Sequence, residues 1–87
     1  MSCIDVHPRI QTHHPEIAQD DVVAAMKGMV RYRQRPEGEY IAVGFDGRGR
    51  FLELVYLYDA RLDSFLVYHA MVPPSRKTLV ELELERS

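Results

Sequence analysis

A chain of 87 residues with a formal net charge of −2, 46% hydrophobic and 28% charged, reads as one globular domain. It has room for a single core, because folding buries only about 60% of the chain surface at this size. The charge excludes coating of nucleic acid by bulk electrostatics, and no apolar run reaches the ~18 residues of a membrane span.

The N-terminal stretch MSCIDVHPRIQ lacks the basic flank and apolar stretch of a signal peptide, so the cytoplasm is the expected compartment. The single cysteine, Cys3, agrees: no intramolecular disulfide is possible, and the thiol is expected to be idle near a loose end. Residues from about Val6 to His14 suggest a short helix on the i, i+4 spacing of Val6 and Ile10, ended by His14-Pro15.

A second helix is predicted over Gln19 to Gly28. Asp20 and Asp21 suit its positive N-terminal end, Val22, Val23 and Met26 form an apolar stripe, and Lys27-Gly28 is a stop signal. After Gly28 the period changes to two. Met29 to Arg35 alternates with an arginine at every second place, Pro36 to Glu39 reads as a turn, and Tyr40 to Phe45 is a second strand. Asp46-Gly47-Arg48-Gly49 is the next turn, Arg50 to Tyr58 a third strand, Asp59 to Asp63 a connection and Ser64 to Met71 a fourth strand. Pro73-Pro74-Ser75 introduces the last element. Leu79, Val80, Leu82 and Leu84 fit a helix or an alternating strand; the prolines and the Leu/Glu/Lys/Arg composition favour helix. The expected class is α+β: an N-terminal helical segment, a four-stranded antiparallel meander and a C-terminal helix.

Strand parity sorts residues onto faces. A four-residue turn at 46–49 pairs Val43 with Leu52, and puts Ile41, Val43, Leu52, Leu54 and Tyr56 on the face that takes the helix. The other face carries Tyr40, Ala42, Gly44, Phe51, Glu53 and Val55. A four-residue turn at 36–39 pairs Arg33 with Ala42, so Arg31, Arg33 and Arg35 join Glu53 over an open floor of Ala42 and Gly44. For the last hairpin, a five-residue loop pairs Tyr58 with Ser64 and Glu53 with His69. It places Leu66, Tyr68 and Ala70 in the core. The alternative register buries an imidazole beside leucines, which is costly. Between Lys27 and Arg50 six basic residues stand against three acidic ones, so an acidic total conceals a basic stretch.

The plan resembles the BrnT-type toxins of the RelE-like toxin–antitoxin superfamily over about residues 7 to 80. The matching residues are His14 before Ile-x-x-x-Asp-Val (Ile17 to Val22), the Glu53-Leu54-Val55 strand, and His69-Ala70-Met71 followed by Pro74-Ser75-Arg76-Lys77-x-Leu79. The resemblance implies a bacterial endoribonuclease that inhibits translation and is held inactive by a cognate antitoxin.

RNA can be cut without a metal when a base takes the 2′-hydroxyl proton, cations hold the phosphorane and an acid protonates the leaving oxygen. Glu53, His69 and Arg33 are the candidate catalytic residues, with Glu53 and His69 sharing the base and acid roles. Arg31, Arg35, Arg76, Lys77 and His14 are candidates for binding RNA phosphates, for which guanidinium suits well. No cofactor or metal is expected, because His7, His13 and His14 lack a recognisable partner spacing. Gly44-x-x-Gly47-x-Gly49 is hairpin chemistry and not a nucleotide loop. Expected partners are the antitoxin and RNA or ribosome-associated mRNA, with no membrane. The alternative is a non-catalytic protein- or RNA-binding module, or a homodimer through Leu79, Val80, Leu82 and Leu84. The same residues have plainer uses: alternating arginines can guard a sheet edge, and Glu53 can make a cross-strand ion pair.

Overall fold

Residues 3–86 are described in a computed structural model. The order is β1 (Cys3–Val6), α1 (Arg9–His13), α2 (Gln19–Lys27), β2 (Met29–Gln34), β3 (Tyr40–Phe45), β4 (Phe51–Asp59), β5 (Ser64–Met71) and α3 (Arg76–Glu81). The α+β class is present and β2 to β5 form the expected meander. The N-terminal arrangement differs. Cys3 to Val6 is a strand that pairs in parallel with β5, which makes a five-stranded mixed sheet of order β1-β5-β4-β3-β2. Ile4 and Val6 pack against the core while Cys3 and Asp5 face outward, the period of two that a strand requires. Helix is confined to Arg9–His13, between Pro8 and the His14-Pro15 stop.

At the start of α2 the Asp21 carboxylate accepts from the Ala18 N–H at 2.8 Å, satisfying a donor that the helix leaves open. Val22, Ala25 and Met26 are buried against the sheet. They join Ile10, Ile17, Ala42, Leu52, Leu54, Tyr56, Val67 and Ala70 in the main core.

Both tight hairpins depart from the expected register by one residue. In the first, Arg35 and Glu39 close the turn (Arg35 N–H to Glu39 O, 2.8 Å), and Gly38 supplies a φ of 107°. Arg33 therefore faces Ile41, and Arg31 faces Val43. In the second, the buried Asp46 carboxylate accepts from the N–H groups of Arg48 and Arg50 at 2.9 and 2.8 Å. The loop thereby spans five residues, and Val43 pairs with Glu53. The face under α2 is consequently Ala42, Gly44, Leu52, Leu54 and Tyr56, while Ile41, Val43, Glu53 and Val55 lie opposite. The predicted floor of Ala42 and Gly44 beneath the arginines is corrected. Gly44 is where α2 crosses closest, since a Cβ there would sit 2.1 Å from the Ala25 carbonyl oxygen.

The third hairpin pairs Asp59 with Ser64 and Tyr58 with Phe65, replacing the expected five-residue loop. A bulge then sets Tyr56 against Val67 but Val55 against His69, leaving Tyr68 as the extra residue. Val67 and Ala70 are buried in the main core, whereas Tyr68 packs on the opposite face and Leu66 is exposed.

That opposite face has its own small core of Ile41, Val43, Val55 and Leu82, flanked by Phe51 and Tyr68. Ser75 caps α3, its hydroxyl oxygen accepting from the Thr78 N–H at 3.2 Å. The helix ends at Glu81, and Glu83 turns the chain with a φ of 61°, so residues 79–85 are neither a continuous helix nor a strand. Leu82 is 2% exposed and Leu79 and Val80 are half-buried, so most of the stripe expected for a homodimer packs within the chain. Among the described residues no helix is long and apolar enough to cross a membrane.

Candidate active site

Glu53 on β4 and His69 on β5 approach diagonally across the strand pair, with Oε2 2.7 Å from Nε2. The other carboxylate oxygen, Oε1, accepts from the N–H and the hydroxyl of Ser75, each at 3.0 Å. Glu53 is only 6% exposed. Burial alone would raise its pKa, but hydrogen bonds from His69, Thr78 and Ser75 outweigh burial and hold it at about 2. An ionised carboxylate only accepts, so His69 Nε2 carries a hydrogen. Nδ1 has no hydrogen-bond partner among the described residues, and the imidazole is half-buried. Glu53 thus anchors the ring in one orientation and His69 presents the free nitrogen, in the manner of a carboxylate that fixes a catalytic imidazole.

The bulge at Tyr68 and the start of α3 shape the surroundings. Arg9, Arg35, Tyr68, Lys77 and Thr78 line a cleft of about 390 Å³ with Glu53 and His69. Arg9, Tyr68 and His69 also border an adjoining cleft of about 240 Å³, which His13 and His14 line as well. The two clefts share Arg9, Tyr68 and His69 and so form one groove. A groove that sets Arg9 and Lys77 near a fixed proton acceptor is chemically suited to a phosphodiester.

Of the residues singled out from sequence, Glu53, His69, Arg35 and Lys77 come together in the first cleft, and His14 lies in the second. Arg31 and Arg33 share the sheet face but point to the end of α3. Arg31 Nη1 donates to the Leu82 carbonyl at 3.0 Å, and Arg33 Nη1 donates to the Glu81 carbonyl at 3.1 Å. They satisfy carbonyls that the helix leaves without partners. Arg35 donates from Nε and Nη2 to the Glu81 carboxylate at 2.9 and 3.0 Å, and Glu39 lies 3.7 Å from its Nη1. These acids, Glu81 first, raise the Arg35 pKa above its ordinary value. Arg76 lies outside both clefts, against Glu85 at 3.5 Å and the Arg86 carbonyl at 3.3 Å.

The remaining arginines of the basic stretch are paired as well. Arg48 and Arg50 reach Asp21 at 2.7 and 3.0 Å, and Arg50 reaches Asp46 at 2.8 Å. Arg35, Arg48 and Arg50 are therefore ion-paired within the fold, while Arg31 and Arg33 are spent on backbone carbonyls. Arg9 is the site residue that sequence reasoning missed. Its signal was available in the short helix, where Arg9 and His13 stand at i, i+4 and share a side. Tyr68 was missed because the bulge turns it away from the main core.

Among the described residues no group of three or more His, Cys, Asp or Glu side chains is placed to hold a metal ion. No protein family, curated protein or solved structure matches the chain.

Proposed function

We propose that this protein is a metal-independent endoribonuclease of the BrnT/RelE-like toxin kind, restrained by a cognate antitoxin. One observation carries the reading. A buried, ionised Glu53 clamps an imidazole whose other nitrogen is free in a groove bordered by Arg9 and Lys77. In the reaction His69 Nδ1 takes the proton from the ribose 2′-hydroxyl, the oxygen attacks the adjacent phosphorus to close a 2′,3′-cyclic phosphate, and the P–O5′ bond breaks as the 5′-oxygen takes up a proton. Arg9 and Lys77 hold the phosphate oxygens as charge builds on them. Glu53 stabilises the imidazolium that forms, through its 2.7 Å contact with Nε2.

The test is regulated expression with a growth readout, run with wild type and His69→Ala together, followed by analysis of cellular RNA. Growth arrest with RNA cleavage in wild type, relieved by the substitution, is the expected result. A harmless wild type that leaves RNA intact overturns the reading.

A second reading is favoured by the contacts of Ser75. Both its N–H and its hydroxyl end on Glu53, so the carboxylate also ties the start of α3 to the sheet. A binding module built on that tie holds RNA or protein without cutting. It predicts association that survives His69→Ala, with no cleavage by either form.

A further inference from the structure

We propose that His14 is a second catalytic residue of this groove, protonating the leaving 5′-oxygen while His69 acts as base; this rests on the endoribonuclease reading. Transesterification of RNA needs two proton transfers, one from the attacking hydroxyl and one to the departing oxygen. The O2′–P bond forms and the P–O5′ bond breaks. The 2′-hydroxyl proton passes to His69 Nδ1, and a proton passes from His14 Nε2 to O5′. The products are a 2′,3′-cyclic phosphate and a 5′-hydroxyl, with no oxidant, reductant or metal in the balance.

Glu53 does not fill the acid role. Its carboxylate is buried, ionised and bonded to His69 and Ser75. Arg9 remains charged throughout and serves as an anion contact. Tyr68 lines the same cleft as His69, but burial raises its pKa further above the range of an effective acid. The titratable groups left in that cleft are His13 and His14. Of these, His14 is the better fixed. Its N–H donates to the Ile10 carbonyl at 2.8 Å and its carbonyl accepts from the Ile17 N–H at 2.9 Å, which pins the backbone on both sides. Ile10 and Ile17 are themselves core residues, at 2% and 0% exposure. His14 is half-buried, whereas His13 is exposed on the last turn of α1. The His14 Nδ1 lies 3.5 Å from Glu16 Oε2, which leaves Nε2 as its uncommitted nitrogen. Two imidazoles, each with one nitrogen beside a glutamate and the other free, therefore border one cleft of about 240 Å³.

The experiment uses the purified full chain and two RNA dinucleotides, one ordinary and one with sulfur in place of the bridging 5′-oxygen. A thiolate leaves without a proton, so loss of the general acid matters little for the sulfur substrate. Wild type, His14→Ala, His14→Gln, His13→Ala and His69→Ala are compared, with unfolding midpoints recorded for each. On the ordinary substrate both His14 variants and His69→Ala should lose about 10²- to 10⁴-fold in rate. On the sulfur substrate the His14 variants should return to within about tenfold of wild type while His69→Ala stays impaired. His13→Ala should match wild type on both. His14 variants that match wild type, or that are equally impaired on both substrates, overturn this inference and leave the endoribonuclease reading standing on His69. If wild type cuts neither substrate, both fall.

Discussion

Arg35 and Glu81 meet side-on, with the guanidinium Nε and Nη2 at 2.9 and 3.0 Å from the two carboxylate oxygens. The pair fastens the residue after β2 to the last residue of α3, and Arg33 and Arg31 complete the attachment through the carbonyls of Glu81 and Leu82. A row of alternating arginines that suggests phosphate binding is thus, in large part, the clasp of a six-residue helix. A helix that short is not stable alone, so its place depends on what holds its ends and on Leu82 beneath it.

Replacing Arg35 by Ala should loosen α3 and cost about 1–2 kcal/mol, the range for a bidentate ion pair that is partly open to solvent. Arg35→Lys should recover little, because a single ammonium cannot match the two parallel contacts. Urea unfolding with fluorescence or circular dichroism measures both. A midpoint unchanged from wild type in Arg35→Ala would count against the clasp.

Glu53 should make the fold sensitive to acid. Its folded pKa of about 2 is below the ordinary 4.5, so its stabilisation is fully present above 4.5 and is lost as pH falls toward 2. The contribution near neutrality is about 3 kcal/mol at most by linkage. Asp21 and Asp46 are also held below their ordinary values and act in the same direction, so the test is a comparison. Glu53→Gln should be less stable than wild type at pH 7, and the gap should narrow as pH approaches 2. A gap independent of pH would show that the carboxylate charge is not the source.

Gly44→Ala should destabilise the domain by about 3 kcal/mol, toward the upper end for overpacking. The new methyl would sit 2.1 Å from the Ala25 carbonyl oxygen, a backbone atom that moves only if α2 moves. Gly47→Ala, where a Cβ meets nothing within 4 Å, is the control and should change the thermal midpoint little.

Arg9→Ala should weaken RNA binding roughly uniformly across sequences and reduce the salt slope of log K by about one unit. Arg76→Ala, which removes a cation outside both clefts, should leave the slope near wild type. Filter-binding titrations at several salt concentrations measure both, and equal slopes for wild type and Arg9→Ala would remove Arg9 from the interface.

Most elements were legible because they depend on short-range rules. The period of α2, the switch to alternation after Gly28, the turn residues of the meander and the prolines before α3 each act within a few neighbours. The placement of Arg31, Arg33 and Glu53 on one face was also anticipated, but for a reason the fold corrects. Two hairpin registers were each displaced by one residue, and the displacements cancelled for those side chains while exchanging the β3 residues that face α2, Ala42 and Gly44 in place of Ile41 and Val43. Turn length decides such a shift, and it was settled by the Arg35–Glu39 closure and by the Asp46 carboxylate.

The sequence by itself determined the class of the fold and the meander, because periodicity and turn chemistry are local properties of a chain; it named Glu53 and His69 together, but on a register that the fold replaces. Tertiary structure alone decided that Cys3–Val6 pairs with β5 across some sixty residues, that a bulge sets His69 within reach of Glu53, and that the end of α3 claims Arg31 and Arg33. Those outcomes depend on which groups meet after the chain has folded back on itself. A guanidinium bonds to whichever unsatisfied oxygen lies nearest, and one strand's pattern does not name that neighbour.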